Sequence, residues 1–480
     1  MWKPTTAMAG ATSSPLLLGG VSRTDAMITE QNLEEGRERV RHLLARQAFE
    51  EVTDLLAILH PSDLTDLLSG LEPDERKQAF GLLDDGLAGE VIAELDADLR
   101  EELIESLNTR ELADLVDEMP SDDAAELVDE LPADVQEEVL DQLDEATSSD
   151  VRDVLEHEED TAGRLMEVEL VTVSESATVR EAIEVIRRAV DEMDGQEIYN
   201  VYVVDDAGRL VGSLPLADLI ITRSDRPVTE VMDRDVVSVP EGMDQEEVAN
   251  IVRKYNLIIL PVVDTERRLI GQITVDDVID VIHEELTEDM LRLAGSDAEE
   301  MEHRSPTQIA RMRLPWLFVT MGVELIAAVV ISRFNQTLSK VIILASFMPI
   351  ISAISGNVGV QAGAIIVRGL ATGHVRVERW WWLLLRELKS GLLMALACGV
   401  TLGGIAVVWT DKWQFGAVVG TAMLCAMLTA GVLGTVIPLI SEKVGFDPAV
   451  TAGPFASACQ DVVGFAVFLG LATKLIHWLM

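Results

Sequence analysis

From about Leu33 to Leu155 the apolar positions recur with a helical period. Leu64, Leu67, Leu68 and Leu71 stand at i, i+3, i+4 and i+7, and Leu112, Leu115, Val116 and Met119 repeat that spacing. Pro61, Pro73, Pro120 and Pro132 are each followed by acidic or Ser/Asp residues suited to a first helical turn. The pattern predicts short helices stacked as a superhelix of hairpins over residues 33–155, serving either as a spacer or as a regulatory element. From about Thr161 to Ile282 the pattern changes to strand–helix alternation, and it does so twice. A helix (Val179–Ala189), strands Tyr199–Val204 and Leu210–Leu214, and a helix from Leu216 are matched by a helix (Gln245–Lys254), strands Ile258–Val263 and Leu269–Ile273, and a helix from Val275. From residue 305 onward five apolar stretches are long enough to span a bilayer: about 314–331, 341–367, 381–409, 415–440 and 453–479.

Composition sharpens this division. The 480 residues carry 83 Asp+Glu and 37 Lys+Arg, a formal charge of −46, yet the mean hydropathy is +0.23. Charge and apolarity must therefore sit in different segments. From Ser305 to the end there are 7 acidic and 12 basic residues; upstream lie 76 acidic and 25 basic, a net of −51. So acidic a chain lacks the basic footprint of a nucleic-acid binder, and a soluble globular enzyme is excluded by the spans. The three cysteines, Cys398, Cys425 and Cys459, all fall in apolar stretches and form neither a disulfide framework nor a Cys-x-x-Cys site. Residues 1–32 are rich in Thr, Ser, Gly and Ala, with an apolar run too short for a signal peptide, and are expected to be a disordered extension. The acidic half is then expected in the cytoplasm.

The basic residues near the spans agree. Arg311 and Arg313 precede the first span, Arg368, Arg376 and Arg379 lie between the second and third, and Lys443 between the fourth and fifth. The alternate loops hold Arg333, Lys340 and Lys412. The excess predicts a multi-pass protein of the cytoplasmic membrane with a cytoplasmic N-terminal half and an external C-terminus.

Polar groups inside spans cost free energy and mark function. The second span carries Ser355-Gly356-Asn357-Val358-Gly359-Val360-Gln361, with amide oxygens at i and i+4. The fifth region runs Asp447-Pro448, Gly453-Pro454 and Asp461; its prolines predict a broken helix that leaves carbonyls facing a path. A carboxylate with neutral oxygens suits a hard cation rather than a transition metal. The alternative for Asp461 is an interhelical hydrogen bond to a polar partner. Glu324 and Glu387 are further carboxylates within spans, Glu387 beside Arg386. Between the repeat and the first span, residues 283–304 predict an acidic linker helix with Glu285, Glu288 and Asp289 on one face. That face is either simply solvated or a cation site, since like charges at this spacing disfavour the helix until neutralised.

The repeat resembles a pair of cystathionine-β-synthase (CBS) domains, at residues 161–222 and 227–282. Each is introduced by a similar phrase, Gly163-Arg164-Leu165-Met166 and Thr229-Glu230-Val231-Met232. The second ends in Gly271, Thr274 and Asp277 as Gly-x-x-Thr-x-x-Asp; the first has Gly212 and Asp218 but Pro215 at the Thr position. The resemblance implies a regulatory module. Some such pairs bind adenine nucleotides, which leaves ATP at Thr274 and Asp277 open, with Pro215 against it.

The order helical domain, CBS pair, acidic helix and five spans, with Arg313-Leu314-Pro315-Trp316 and the two span motifs, resembles the MgtE family of magnesium channels. The resemblance implies a multidomain membrane protein: an all-α superhelical domain, an α/β CBS pair, a plug helix and an α-helical membrane domain. It implies a homodimer in the lipid bilayer taking up Mg²⁺, as substrate and regulator, along a path of Asp461, Asn357, Gly356, Gln361 and Asp447. It further implies a Mg²⁺ sensor at Asp244, Glu246, Asp277, Glu285, Glu288 and Asp289, with Glu111 and Asp114 in the helical domain. Two positions depart from the pattern of some members: Arg110 replaces an acid, and Gly453 replaces an Asn.

Electrostatics supports such a sensor independently. A net −51 resists compaction, and cations shared between carboxylates relieve it. Mg²⁺ keeps most of its water and takes few carboxylates, which suits weak sensing at domain interfaces. Alternatives are a carrier or channel for Mn²⁺, Co²⁺ or Ca²⁺, and a membrane-anchored nucleotide sensor or enzyme, for which no Walker or His-Glu-x-x-His motif is present. A chloride channel would call for donor-rich pore groups in place of acidic ones.

Overall fold

The computed structural model describes residues 30–192, 198, 200–296, 306–372, 375, 380–475 and 477. The expected extension lies outside these residues as far as residue 29, as do residues 297–304 of the linker. The chain divides into two compact units, one ending at Glu156 and the other beginning at His157.

The first unit is a succession of short helices from α1 (Glu30–Ala45) to α10 (Glu145–Leu155), ten among the described residues. Both leucine-rich stripes are buried, from Leu64 to Leu71 and from Leu112 to Met119. Helix starts follow local chemistry: Asp84 accepts from the Leu87 N–H, and Pro61 and Pro73 occupy first turns. Arg76 is buried and fully engaged. It donates to the Leu68 and Leu71 carbonyls and pairs with Glu102 at 2.7 Å, tying consecutive hairpins.

In the second unit the two repeats form two three-stranded sheets, β1–β2–β3 (Thr172–Ser174, Asn200–Val204, Leu210–Pro215) and β4–β5–β6 (Val239–Pro240, Ile259–Val263, Leu269–Thr274). In each the first strand is parallel to the second and the second antiparallel to the third. The helices are α11 (Val179–Glu192), α12 (Leu216–Ile221), α13 (Gln245–Tyr255) and α14 (Val275–Ala294). The introductory phrases have a structural reason. Met166 packs on Gly271 of the second repeat and Met232 on Gly212 of the first, so tightly that a Cβ on either glycine would meet sulfur. Backbone bridges Glu167–Gln272 and Ser213–Asp233 run alongside. Ala162 and Met166 thus belong to the core of the second repeat, although in the chain they open the first.

One expectation changes. The helix from Val275 does not stop near 282; it runs unbroken to Ala294 and ends at Gly295 in the left-handed region (φ 79°). The acidic linker is therefore the continuation of the last CBS helix, because nothing between Ile282 and Leu293 interrupts helix formation.

Five helices among the described residues are long and apolar enough to cross a membrane. They are α15 (Pro306–Arg333), α17 (Leu344–Ala371), α18 (Trp380–Thr410), α19 (Trp413–Val444) and the run Pro448–Lys474, which ends in α21 (Ala456–Lys474). A short α16 (Asn335–Lys340) follows the first, and α20 (Pro448–Val450) with an irregular turn, Thr451–Phe455, precedes the last. Small residues allow close crossings: Gly399 and Gly403 of α18 meet Gly416 and Gly420 of α19 backbone to backbone, and Gly434 of α19 abuts Gly359 of α17. Phe347, Phe415 and Phe468 fill the centre of the bundle.

Candidate functional site

The fifth-span region is broken where the prolines predict. Asp447 caps α20 by accepting from the Ala449 N–H at 2.7 Å, and Gly453 leaves helical geometry (φ −83°, ψ −126°) before α21 begins. About one and a half turns into α21, Asp461 faces α17. The Ser352 hydroxyl donates to Asp461 Oδ1 at 2.5 Å. The interhelical bond considered as an alternative thus exists, and it engages one carboxylate oxygen. Glu324 of α15 is close enough to interact with the same carboxyl, so three spans converge on Asp461.

Asn357 and Gln361 lie one turn apart on the exposed face of α17, and a Cβ on Gly356 would enter open space. The opposite face, with Val358, Gly359 and Ala362, is buried in the bundle. Gln460, beside Asp461, is buried against Gly359, and neither amide atom has a hydrogen-bond partner. Arg386 lies over the Trp382 ring, 5.8 Å from its centroid.

The regulatory carboxylates gather around α13, α14 and the ends of the spans. Glu246, Glu285, Asp289, Arg253 and Arg368 line one cleft of about 60 Å³, into which the last turn of α17 and Thr372 also project. Burial, reinforced by the charges of Glu285, Asp289, Asp244 and Glu442, pushes Glu246 up to about 7. Asp289 rises to about 6 through burial and the nearby Asp447 and Glu285. These shifts report crowded negative charge at partly dry positions. Glu285 accepts from Gln245 Nε2 at 2.9 Å, and Arg253 donates to the Thr372 carbonyl at 3.0 Å, linking α13 to the end of the second span.

Others of the expected set are engaged locally. Asp244 caps α13 through the Glu246 N–H. Asp277 and Thr274 form a capping box at the start of α14, the Thr274 hydroxyl donating to the carboxylate. Burial raises Asp277 to about 6 against these bonds. Glu288 pairs with Arg292 one turn on, and Arg292 Nη1 reaches Asp447 Oδ2 at 2.7 Å. In the first unit, Glu111 closes a capping box with Asn108 and Asp114 lies 3.9 Å from the Arg110 guanidinium, both acids exposed on α7 (Thr109–Val116). Among the described residues no three His, Cys, Asp or Glu side chains converge as a metal cage. The carboxylates form an open array. Ser352, Arg253 and Arg292 were not singled out by sequence; the one local signal was the i, i+4 spacing of Glu288 and Arg292.

Comparison with known proteins follows this layout. Residues 59–160 match the MgtE intracellular N domain, residues 162–224 and 228–284 the CBS domain, and residues 348–471 a divalent cation transporter domain. The chain is 37% identical over 325 residues to the magnesium transporter MgtE of Enterococcus faecalis, covering 68% of this chain and 71% of that one. It belongs to the MgtE family. The MgtE of Thermus thermophilus is 36% identical over 323 residues, covering 67% and 71% of the two chains. A crystal structure of the cytosolic domain of the Mg²⁺ channel MgtE in complex with ATP is similar at 37% identity and TM-score 0.48, covering 51% of this chain and 99% of that one. MgtE proteins are transporters and not enzymes, and these relatives support magnesium transport across a membrane.

Proposed function

We propose that this MgtE protein is a homodimeric channel for Mg²⁺ uptake, closed by negative feedback from Mg²⁺ in the cytoplasm. The observation that carries the pathway is the Ser352–Asp461 contact. It fixes a carboxylate at the crossing of the two spans that bear the Gly356-Asn357-x-Gly359-x-Gln361 motif and the broken helix. Asn357 and Gln361 are exposed amides on a membrane helix. Such groups need water or protein against them, and a second copy with the same face closes a polar path between the two. Asp461, Asn357, Gly356, Gln361 and Asp447 then line it. The domain limits expected from sequence, with the acidic half cytoplasmic and the C-terminus external, fit this arrangement.

The sensor is the array of Glu246, Glu285, Glu288 and Asp289, joined by Asp244 and Asp277 of the same unit; Glu111 and Asp114 are sensor acids of the first unit, taken by themselves. Hydrated Mg²⁺ between the array carboxylates offsets their repulsion and holds α14 against the spans. ATP, bound by the relative, would meet Thr274 and Asp277 already committed to capping α14 and Pro215 in the other repeat. Reconstituted protein in a patch with Mg²⁺ as the sole cation tests the proposal. Current that falls as cytoplasmic-side Mg²⁺ rises supports it. Current carried by Mn²⁺ or Co²⁺ but not by Mg²⁺ would turn the assignment to another divalent ion.

A further inference from the structure

Helix α18 packs chiefly on α19, whereas α17 packs on both α19 and α21. One stripe of α18 is exposed along its length: Trp382, Arg386, Lys389, Leu393, Leu396 and Val400, spaced alternately by four and three residues. Two cations therefore stand one turn apart among apolar neighbours. Arg386 lies over the Trp382 ring, and among the described residues neither cation is in an ion pair. Their depth follows from the aromatics at the far end. Trp409 stands twenty positions beyond Lys389, a rise of about 30 Å, which matches the hydrocarbon core of a bilayer. With the exposed Trp409 and Trp413 at one interface, Arg386 and Lys389 reach the other at the level of the lipid phosphates. That interface is on the side of the CBS pair, since Arg253 of α13 donates to the Thr372 carbonyl, a few residues before α18 begins.

Beyond the cations the same stripe borders a groove. Leu396 and Val400, with Gly399, Gly403, Gly416 and Gly420, line about 340 Å³ between α18 and α19. The groove exists because the four glycines bring the two backbones together and leave no side chain over the crossing. It begins about 10 Å past Lys389 along the helix, within reach of an acyl chain whose phosphate sits at the cations. We propose that this face of α18 binds one anionic phospholipid of the leaflet on the CBS side. Its phosphate lies between Arg386 and Lys389, and one acyl chain runs past Leu393 into the glycine groove. Charge selects the anionic lipid. A guanidinium fork steadied on Trp382 and an ammonium one turn on converge on a single phosphate, and cations at this depth are costly unless an anion answers them. A zwitterionic head brings its own ammonium to the same place. The exposed amides of α17, not this stripe, form the face assigned to a second copy. The site also anchors the membrane half to an anionic surface that repels the net −51 of the upstream half.

Native mass spectrometry of the full-length protein released from mixed phosphatidylglycerol and phosphatidylcholine nanodiscs tests this. Wild type should retain one phosphatidylglycerol per chain, about five- to tenfold in preference to phosphatidylcholine. Arg386→Gln combined with Lys389→Gln should lose that preference, and Arg386→Lys alone should keep part of it. Thr421→Phe, on the α19 wall of the groove, should weaken retention of the long-chain lipid while leaving that of a short-chain analogue unchanged. Glycerol phosphate, the head group without chains, should not displace the lipid; displacement would reduce the site to one for free phosphate and overturn the acyl seat. Equal retention of both lipids by wild type, or an unchanged preference in the double variant, overturns the proposal. So does a Thr421→Phe protein that changes its oligomeric state with lipid retention intact, which would give the groove to a second copy.

Discussion

The Ser352 hydroxyl donates to Oδ1 of Asp461 at 2.5 Å, joining residues 109 positions apart in the chain. A hydroxyl in this position orients the carboxylate and engages one of its oxygens. Asp461→Ala should abolish or sharply reduce Mg²⁺ uptake, while Ser352→Ala should lower it about three- to tenfold by releasing that orientation. Both proteins should elute as folded dimers. Fluorescent-indicator uptake into vesicles decides the matter, and wild-type flux through Asp461→Ala would remove Asp461 from the pathway.

Neutralising Glu285, Glu288 and Asp289 together should leave a conducting pore that no longer closes in response to cytoplasmic Mg²⁺. Each like-charged pair at this helical spacing costs a few tenths of a kcal/mol until a cation reverses its sign, roughly 0.2–0.5. Open probability should become flat against Mg²⁺ while unitary conductance stays near wild type. Normal closure of the triple variant in millimolar Mg²⁺ would place the sensor elsewhere.

Glu167 offers a pH test away from the array. Burial holds it up at about 7, against the bond it accepts from Gln272 Nε2 at 3.0 Å. A carboxyl raised on folding contributes stability below its ordinary range, near 4.5, and that contribution is lost as pH climbs through 7. Glu167→Gln should therefore stabilise the CBS pair at pH 8, by on the order of 2 kcal/mol, and leave it little changed at pH 4.5. Thermal melts of the full chain across that range should show the wild type losing stability with rising pH and the variant flattening.

Gly434→Ala should destabilise the membrane bundle. The added methyl would run into the Gly359 backbone, which has no side chain to swing aside. Overpacking of this kind costs about 1–3 kcal/mol, and a lowered melting temperature in detergent should report it. An unchanged melt would mean that α17 and α19 can separate without penalty.

Much of this architecture was legible because it is periodic. The stripes at Leu64–Leu71 and Leu112–Met119 are buried as their spacing requires, and β2, β3, β5 and β6 lie within a residue or two of their expected limits. Strands β1 and β4 escaped notice because three and two residues carry no readable alternation, and their partners lie far along the chain. The same reason hid Arg292 and Ser352. Arg292 meets Asp447 across 155 residues, and a single polar contact of that range leaves no trace in local pattern. Asp461 was visible because a carboxylate in an apolar stretch is conspicuous by itself; the serine that holds it looks like any small helix residue.

The unbroken course of α14 has a mechanical consequence. Twenty residues from Val275 to Ala294 make a rod of about 30 Å, fixed at one end in the core of a CBS repeat and resting with the other on Gly453. A hinge near Ile282 would have absorbed any rearrangement of the carboxylates; a straight rod transmits it. Pivoting by about 5° at the CBS end displaces the far end by roughly 2.5 Å. If α14 closes the protein as proposed, it works as a lever, and its stiffness between residues 282 and 290 sets how much movement at its CBS end reaches the spans.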